Sequence, residues 1–241
     1  MQSICSQVIV PLDFAERSTA IDFLRSVDGE LTWVKVGLQM YLKYGAPIIE
    51  EIHQMGFRIF LDLKLHDIPN TVAGAIESIA SLPVELLTLH ISGSYEMLKR
   101  AIEARNQFAP SIKLIGVTVL TSMDAEQMNR AGVPGEVPGQ VLRLAQLAHR
   151  CGLDGIVCSP RELVMLKSNI ESDWLYVTPG IRPASADSQD QIRTATPGEA
   201  QKKGASYLVI GRPITTAKNP KQALVDIHTE LSEFEAERLT E

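Results

Sequence analysis

Cysteine is scarce in this chain: Cys5, Cys151 and Cys158 are the whole set, irregularly spaced and without a C-x-x-C pair. That excludes a disulfide framework and a thiolate zinc site, and predicts three reduced thiols in a cytoplasmic protein. Long apolar runs are missing too; none approaches the roughly 18 residues a membrane helix needs. The first ten residues, MQSICSQVIV, lack a basic start and an apolar core with a small-residue cleavage site, so no secretion signal is expected. Excess positive charge is absent, since 23 Lys and Arg against 29 Asp and Glu leave a net charge of −6. Such a surface argues against nucleic acid or an anionic membrane as partner, although a local basic pocket stays compatible with it. No linker, low-complexity tract or charge block divides the chain.

What is present is alternation. Short apolar or β-branched runs stand at 7–12, 33–37, 58–63, 85–90, 112–119, 154–158, 174–178 and 207–211. Helical patterns fall between and after them, near 18–27, 39–55, 70–81, 94–106, 138–151, 160–168, 197–203 and 220–236. In the fifth of these, Val141, Leu144, Ala145 and Ala148 repeat at i, i+3, i+4 and i+7, one apolar stripe. Strand and helix alternating in this way imply parallel strands joined by right-handed crossovers. Eight such units in 241 residues fit a closed α/β barrel, the (β/α)8 TIM barrel, better than an open sheet. We expect residues 1–241 to form one such domain.

In this fold, active sites sit at the C-terminal ends of the strands. Those ends carry Asp13, Lys35, Asp62 with Lys64 and Asp67, His90, Thr121 with Ser122, Ser159, Thr178 with Arg182, and Arg212. The segment IFLDLKLHDIPNT (59–71) is the most informative, because two acids and an amine interrupt a run that should be buried. Asp62 and Lys64, two apart on a strand, share a face. Buried charge is costly unless paired, and a chain that tolerates it usually uses it. The plainer alternative is a structural salt-bridge cluster, but buried ion networks are weak sources of stability. A network of acids holding Lys64 rigidly makes that ammonium a well-placed proton donor. The alternating charges can also stabilise a carbanion as it forms. His66 and His90 are expected to pack or hydrogen-bond, and Glu85 and His53 to lie on the helix side or at strand bottoms.

The loops after strands seven and eight, VTPGIRP (177–183) and VIGRPI (209–214), stand where this fold often builds a phosphate site. Gly180 and Gly211 allow close approach of backbone N–H groups, and Arg212, with Arg182, supplies a planar fork suited to phosphate oxygens. The alternative is that both glycines merely turn the chain. Residues 179–196 are long for a strand-to-helix connection and read as a lid, from which Gln189 and Gln191 can reach a ligand.

Taken together, these motifs resemble the orotidine 5′-phosphate decarboxylase family, of the bacterial, single-function type. The resemblance spans nearly the whole chain and rests on FLDLKLHDIPNTV (60–72), with VPLD (10–13), VKVG (34–37), VTVLTS (117–122), VTPGIRP and VIGRPI in support. D-x-K-x-x-D alone is shared with related phosphosugar barrels; the longer H-D-I-P-N-T string with T-P-G-I-R is far more specific. The resemblance implies cofactor-free decarboxylation of orotidine 5′-monophosphate to UMP, without a metal. It implies that Asp13 binds ribose or base-side groups, that Lys35 contacts a ribose hydroxyl and pairs with Asp62, and that Lys64 protonates C6. It implies a homodimer in which Asp67 and Thr71 reach into the other subunit's site. Thr121, with Ser122, would fix the pyrimidine edge, and Arg182, Gln191, Gly211 and Arg212 would hold the 5′-phosphate. Two rivals remain: a magnesium-dependent phosphosugar decarboxylase or synthase of the same superfamily, and a non-catalytic nucleotide-binding barrel.

Overall fold

The computed structural model describes residues 6–170, 173–183 and 194–240, with side chains to 236. The strands are β1 (Gln7–Pro11), β2 (Trp33–Gly37), β3 (Arg58–Leu65), β4 (Leu86–His90), β5 (Lys113–Val117), β6 (Gly155–Val157), β7 (Leu175–Pro179) and β8 (Tyr207–Val209). All pair in parallel with their sequence neighbours, and β8 pairs with β1 to close the barrel. The helices are α1 (Arg17–Ser26), α2 (Leu38–Gln54), α3 (Pro69–Ile79), α4 (Tyr95–Phe108), α5 (Ala125–Arg130), α6 (Val137–Cys151), α7 (Leu163–Asn169), α8 (Pro197–Lys202), α9 (Arg212–Thr215) and α10 (Pro220–Thr240). The (β/α)8 barrel expected from the alternation is therefore the fold, with every expected strand and helix in its place. Two short helices, α5 and α9, were not anticipated, and neither shows an apolar period long enough to read. The third strand runs two residues past its expected end at 63, for a reason given below.

Two packed layers result from the alternation of side chains along each strand. Outward residues such as Val10, Val34, Leu61 and Leu87 join the helices' apolar faces in the larger core. Inward residues Ile9, Trp33, Phe60, Leu86, Ile115 and Val177 fill the barrel itself. Trp33, 1% exposed, plugs the lower end; its indole N–H donates to Gln7 Oε1 at 2.6 Å and the Arg58 guanidinium lies 4.2 Å over its ring. Arg58 is also paired with Glu85, which stands at the foot of β4 as expected.

The inward columns change character as they rise. Two residues above Trp33 is Lys35, two above Phe60 is Asp62, and two above Val209 is Gly211. The apolar plug thus supports a charged floor at the mouth. Placing charge only on the last inward position keeps it next to solvent or ligand and leaves the interior dry.

Candidate active site

Asp62 is the centre of the floor, 8% exposed. Lys64 Nζ donates to its Oδ2 at 2.8 Å and to its Oδ1 at 2.9 Å. Lys35 Nζ stands 3.4 Å from Asp62 Oδ2 and 3.4 Å from Asp13 Oδ1, linking the ends of β1, β2 and β3. Burial raises the Asp62 carboxyl; the ammoniums of Lys35 and Lys64, with hydrogen bonds from Lys64 and Thr88, outweigh it and hold the group below the ordinary carboxylate value. Asp62 is thus an anion wedged between two cations, with a fourth charge, Asp13, beyond Lys35.

Asp67 stands apart from this cluster within one chain. Its Oδ1 accepts from the Ile68 N–H at 2.6 Å, and the residue is exposed, as is Thr71 at the start of α3. His90 is half-buried; burial, then the neighbouring His66 and Lys64, lower its pKa, which keeps the imidazole neutral at neutral pH. Its ring centroid lies 5.3 Å from that of His66, in keeping with the packing role expected of both.

Above Lys64 and Asp62 opens a cavity of about 160 Å³. Its walls are largely apolar, with Val117, Val119, Leu120 and Val157 on one side and Val177, Pro179 and Val209 on the other, and Thr121 at the edge. Ser122 is exposed and does not line this cavity. A second pocket, of about 530 Å³, shares Lys35, Pro179 and Val209 with the first and is lined by Asp13, Arg182, Gly211 and Arg212. The two pockets therefore adjoin: one small and largely apolar with the Lys64 ammonium in its lining, the other larger and bearing two guanidiniums. Gly211 closely approaches Pro11, so a larger residue there would press on β1. Thr215 and Thr216, at the end of α9, also line the second pocket.

The long seventh connection is tied at its root, where Ile181 and Ala195 form a parallel bridge and the Arg182 N–H donates to Ala195 O at 2.9 Å. Gln189 and Gln191 lie outside the described residues, as does Cys5. Cys151 and Cys158 are buried free thiols whose pKa burial raises, so neither is a poised nucleophile. Thr178 does not reach the mouth; lying between the inward Val177 and Pro179, it turns to the helix layer and is fully buried. Ser159 is likewise fully buried and lines neither pocket. Among the described residues no group of three His, Cys, Asp or Glu side chains is arranged to hold a metal ion.

Two sets of residues escaped the sequence reading. The apolar cavity wall looked like ordinary strand interior, and only the barrel's closure shows which valines face the mouth. Thr88, inside β4, carried no signal at all, yet its hydroxyl donates to Asp62 Oδ1 at 2.9 Å and accepts from the Lys64 N–H at 2.9 Å.

A (β/α)8 barrel with an Asp–Lys cluster at its mouth, beneath an apolar cavity that adjoins a pocket bearing two guanidiniums, defines the class: a barrel with a charged site at the C-terminal ends of its strands. Comparison with known proteins narrows the class. Residues 6–227 match the model of the orotidine 5′-phosphate decarboxylase / HUMPS family. The chain is 48% identical over 227 residues to the orotidine 5′-phosphate decarboxylase of Opitutus terrae, covering 94% of this chain and 98% of that one. It is 44% identical over 229 residues to that of Haemophilus influenzae, covering 94% and 99%. The crystal structure of the orotidine 5′-phosphate decarboxylase from Lactobacillus acidophilus superposes with a TM-score of 0.83 at 39% identity, over 94% of this chain and 99% of that one. The chain belongs to the orotidine 5′-phosphate decarboxylase / HUMPS family.

Proposed function

We propose that this chain is a carboxy-lyase that converts orotidine 5′-monophosphate to UMP and carbon dioxide in pyrimidine biosynthesis, without metal or organic cofactor. The observation that carries the reading is the Lys64 ammonium, paired with Asp62 and lining a largely apolar cavity of about 160 Å³. Arg182, Gly211 and Arg212 hold the 5′-phosphate, joined by Gln191. Asp13 and Lys35 take the ribose, and Thr121 the pyrimidine edge; Ser122, outside the cavity, is left without that role.

The chemistry follows from charge. When the C6–carboxylate bond breaks, its electron pair stays on C6, where no neighbouring group can accept it. Stabilisation must come from preorganised cations, and Lys35 and Lys64 are already fixed by Asp62 before substrate arrives. Lys64 then delivers a proton from Nζ to C6, giving UMP, and regains one from solvent. Asp62, kept anionic, faces the substrate carboxylate, and the departing neutral gas meets apolar walls. Phosphate contacts far from C6 contribute binding energy that orients the ring.

A second copy of the chain completes the site in this reading. Asp67 and Thr71 are exposed at the mouth, and around them Leu38, Leu42, Ile68 and Tyr95 follow three adjacent strands with 48%, 79%, 68% and 46% of their surface in solvent. Apolar side chains grouped at one rim suit a homodimer that carries the two polar residues into the partner's pocket. No helix among the described residues is long and apolar enough to cross a membrane, and we assign the protein to the cytoplasm.

The test is incubation with orotidine 5′-monophosphate in the presence of a chelator, following conversion to UMP by ultraviolet absorbance. Turnover that survives the chelator supports the reading. Turnover abolished by it, together with activity on a phosphosugar, points to the magnesium-dependent rival. Tight UMP binding with no carbon dioxide released points to a binding protein.

A further inference from the structure

Lys64 has a backbone that its residue type disfavours. Its φ is +49°, and Ser94 is the only other described non-glycine residue with positive φ. Left-handed φ in a long-chain residue is uncommon and persists only where the surroundings enforce it. The enforcement is visible in the β3–β4 pairing. Leu61 faces Leu87 and Leu65 faces Leu89, so three residues of β3, Asp62 to Lys64, stand opposite the single residue Thr88. A bulge of this kind interrupts the ladder and leaves backbone N–H groups without a strand partner.

Thr88 compensates for that interruption with its side chain. It is fully buried, its Oγ1 accepts the Lys64 N–H, and the same hydroxyl passes its own hydrogen to Asp62 Oδ1. Only a group that donates and accepts at one atom can do both, and a hydroxyl is the smallest side chain that does. One end of this chain of bonds is the backbone from which the ammonium hangs; the other is the carboxylate that grips the ammonium.

Building on the decarboxylase reading, we propose that Thr88 is a positioning residue for the reaction: its hydroxyl locks the Lys64 backbone and the Asp62 carboxylate into one register, which sets where the ammonium stands relative to C6. Thr88 itself lines neither pocket and acts through its two neighbours.

The experiment compares Thr88→Val, which keeps the shape and removes both hydrogen bonds, with Thr88→Ser, which keeps the hydroxyl. Orotidine 5′-monophosphate decarboxylation and UMP binding are measured for each beside the unaltered chain. For Thr88→Val, kcat falls about 100-fold, the scale at which a misplaced reacting group shows, while KM and the Kd for UMP stay within about threefold. The acid limb of its kcat/KM profile moves to higher pH, because Asp62 has lost a hydrogen bond that favours the anion. Thr88→Ser regains most of the lost kcat and the original acid limb. A valine variant with unchanged kcat, or a serine variant as slow as the valine one, overturns the proposal. If Thr88→Val does not fold, Thr88→Cys, a weak donor and acceptor, serves in its place under the same criteria. Absence of turnover in the unaltered chain defeats the decarboxylase reading instead. The positioning claim is then decided by a crystal structure of the valine or cysteine variant: Lys64 must leave its left-handed φ or its contact with Asp62, and an unmoved Lys64 overturns the claim.

Discussion

Asp62 meets opposed demands: burial pushes its carboxyl up, and two ammoniums and a hydroxyl pull it down further than burial raises it. A carboxyl whose folded pKa is depressed stabilises the protein fully above its unfolded pKa of about 3.9 and loses that contribution as pH falls through the folded value. His90 and His228 are lowered by burial, so stability also declines as pH drops below about 6.5, where the unfolded imidazoles take protons first. Urea midpoints measured from pH 8 to pH 3 should therefore be flat at the alkaline end, fall gently below pH 6.5 and fall again below about pH 4. A midpoint that rises on acidification contradicts this assignment of charge. At the same scale, Lys64→Ala is expected to lower kcat by about 10³-fold or more, since a positioned general acid alone contributes about 10²–10⁴, while UMP binding changes little. Near-normal turnover by that variant removes Lys64 as the acid. Lys64 and Asp62 were legible as chemistry because charge in an apolar run is conspicuous. Thr88 was not, because threonine inside a strand is what β-propensity alone supplies.

Among the elements, β3 does the most unusual thing. Its sequence predicts a regular strand ending at 63 whose alternation puts Asp62 and Lys64 on one face, and both do line the cavity, but not by regular alternation. The route is a bulge with a left-handed lysine, which no residue-type preference announces. The short strand β6 shows the opposite dependence, of element geometry on one small residue. A Cβ at Gly155 would stand on the Leu175 carbonyl oxygen and Cβ of the neighbouring β7. Gly155→Ala should therefore destabilise the protein by about 1–3 kcal/mol, the usual range for overpacking. Chemical unfolding of that variant checks it, and an unchanged midpoint means that β6 and β7 have room to part. The pocket proposed for phosphate is legible for a related reason: its Arg182, Gly211 and Arg212 fall just after β7 and β8, the two strands after which this fold commonly binds phosphate.

At the level of the whole molecule, the exposed rim residues and the solitary Asp67 point the same way. If two copies share their sites, Ile68→Glu should yield a monomer by sedimentation and lower kcat at least tenfold, since each site then lacks Asp67 and Thr71 from its partner. A hydrophobic-to-charged change at the centre of an interface typically costs more than the roughly 1.4 kcal/mol that a tenfold loss represents. A fully active Ile68→Glu monomer removes the shared-site arrangement, whereas a variant that stays dimeric and active removes only Ile68 from the interface.

Periodicity and punctuation determined the fold class from the sequence alone, because eight alternations of period-2 and period-3.6 patterning have few other ways to bury their apolar faces. Half of the charged cluster, Asp62 and Lys64, was likewise local information, written in the thirteen residues from Ile59 to Thr71; Asp13 and Lys35 join it only through the barrel. Tertiary structure decided what no local pattern encodes: which valines wall the cavity, that Thr178 turns away from it, and that Thr88 joins Asp62 to the Lys64 backbone. Those facts depend on barrel closure and on the β3–β4 register, and register is settled by contacts between segments far apart in the chain.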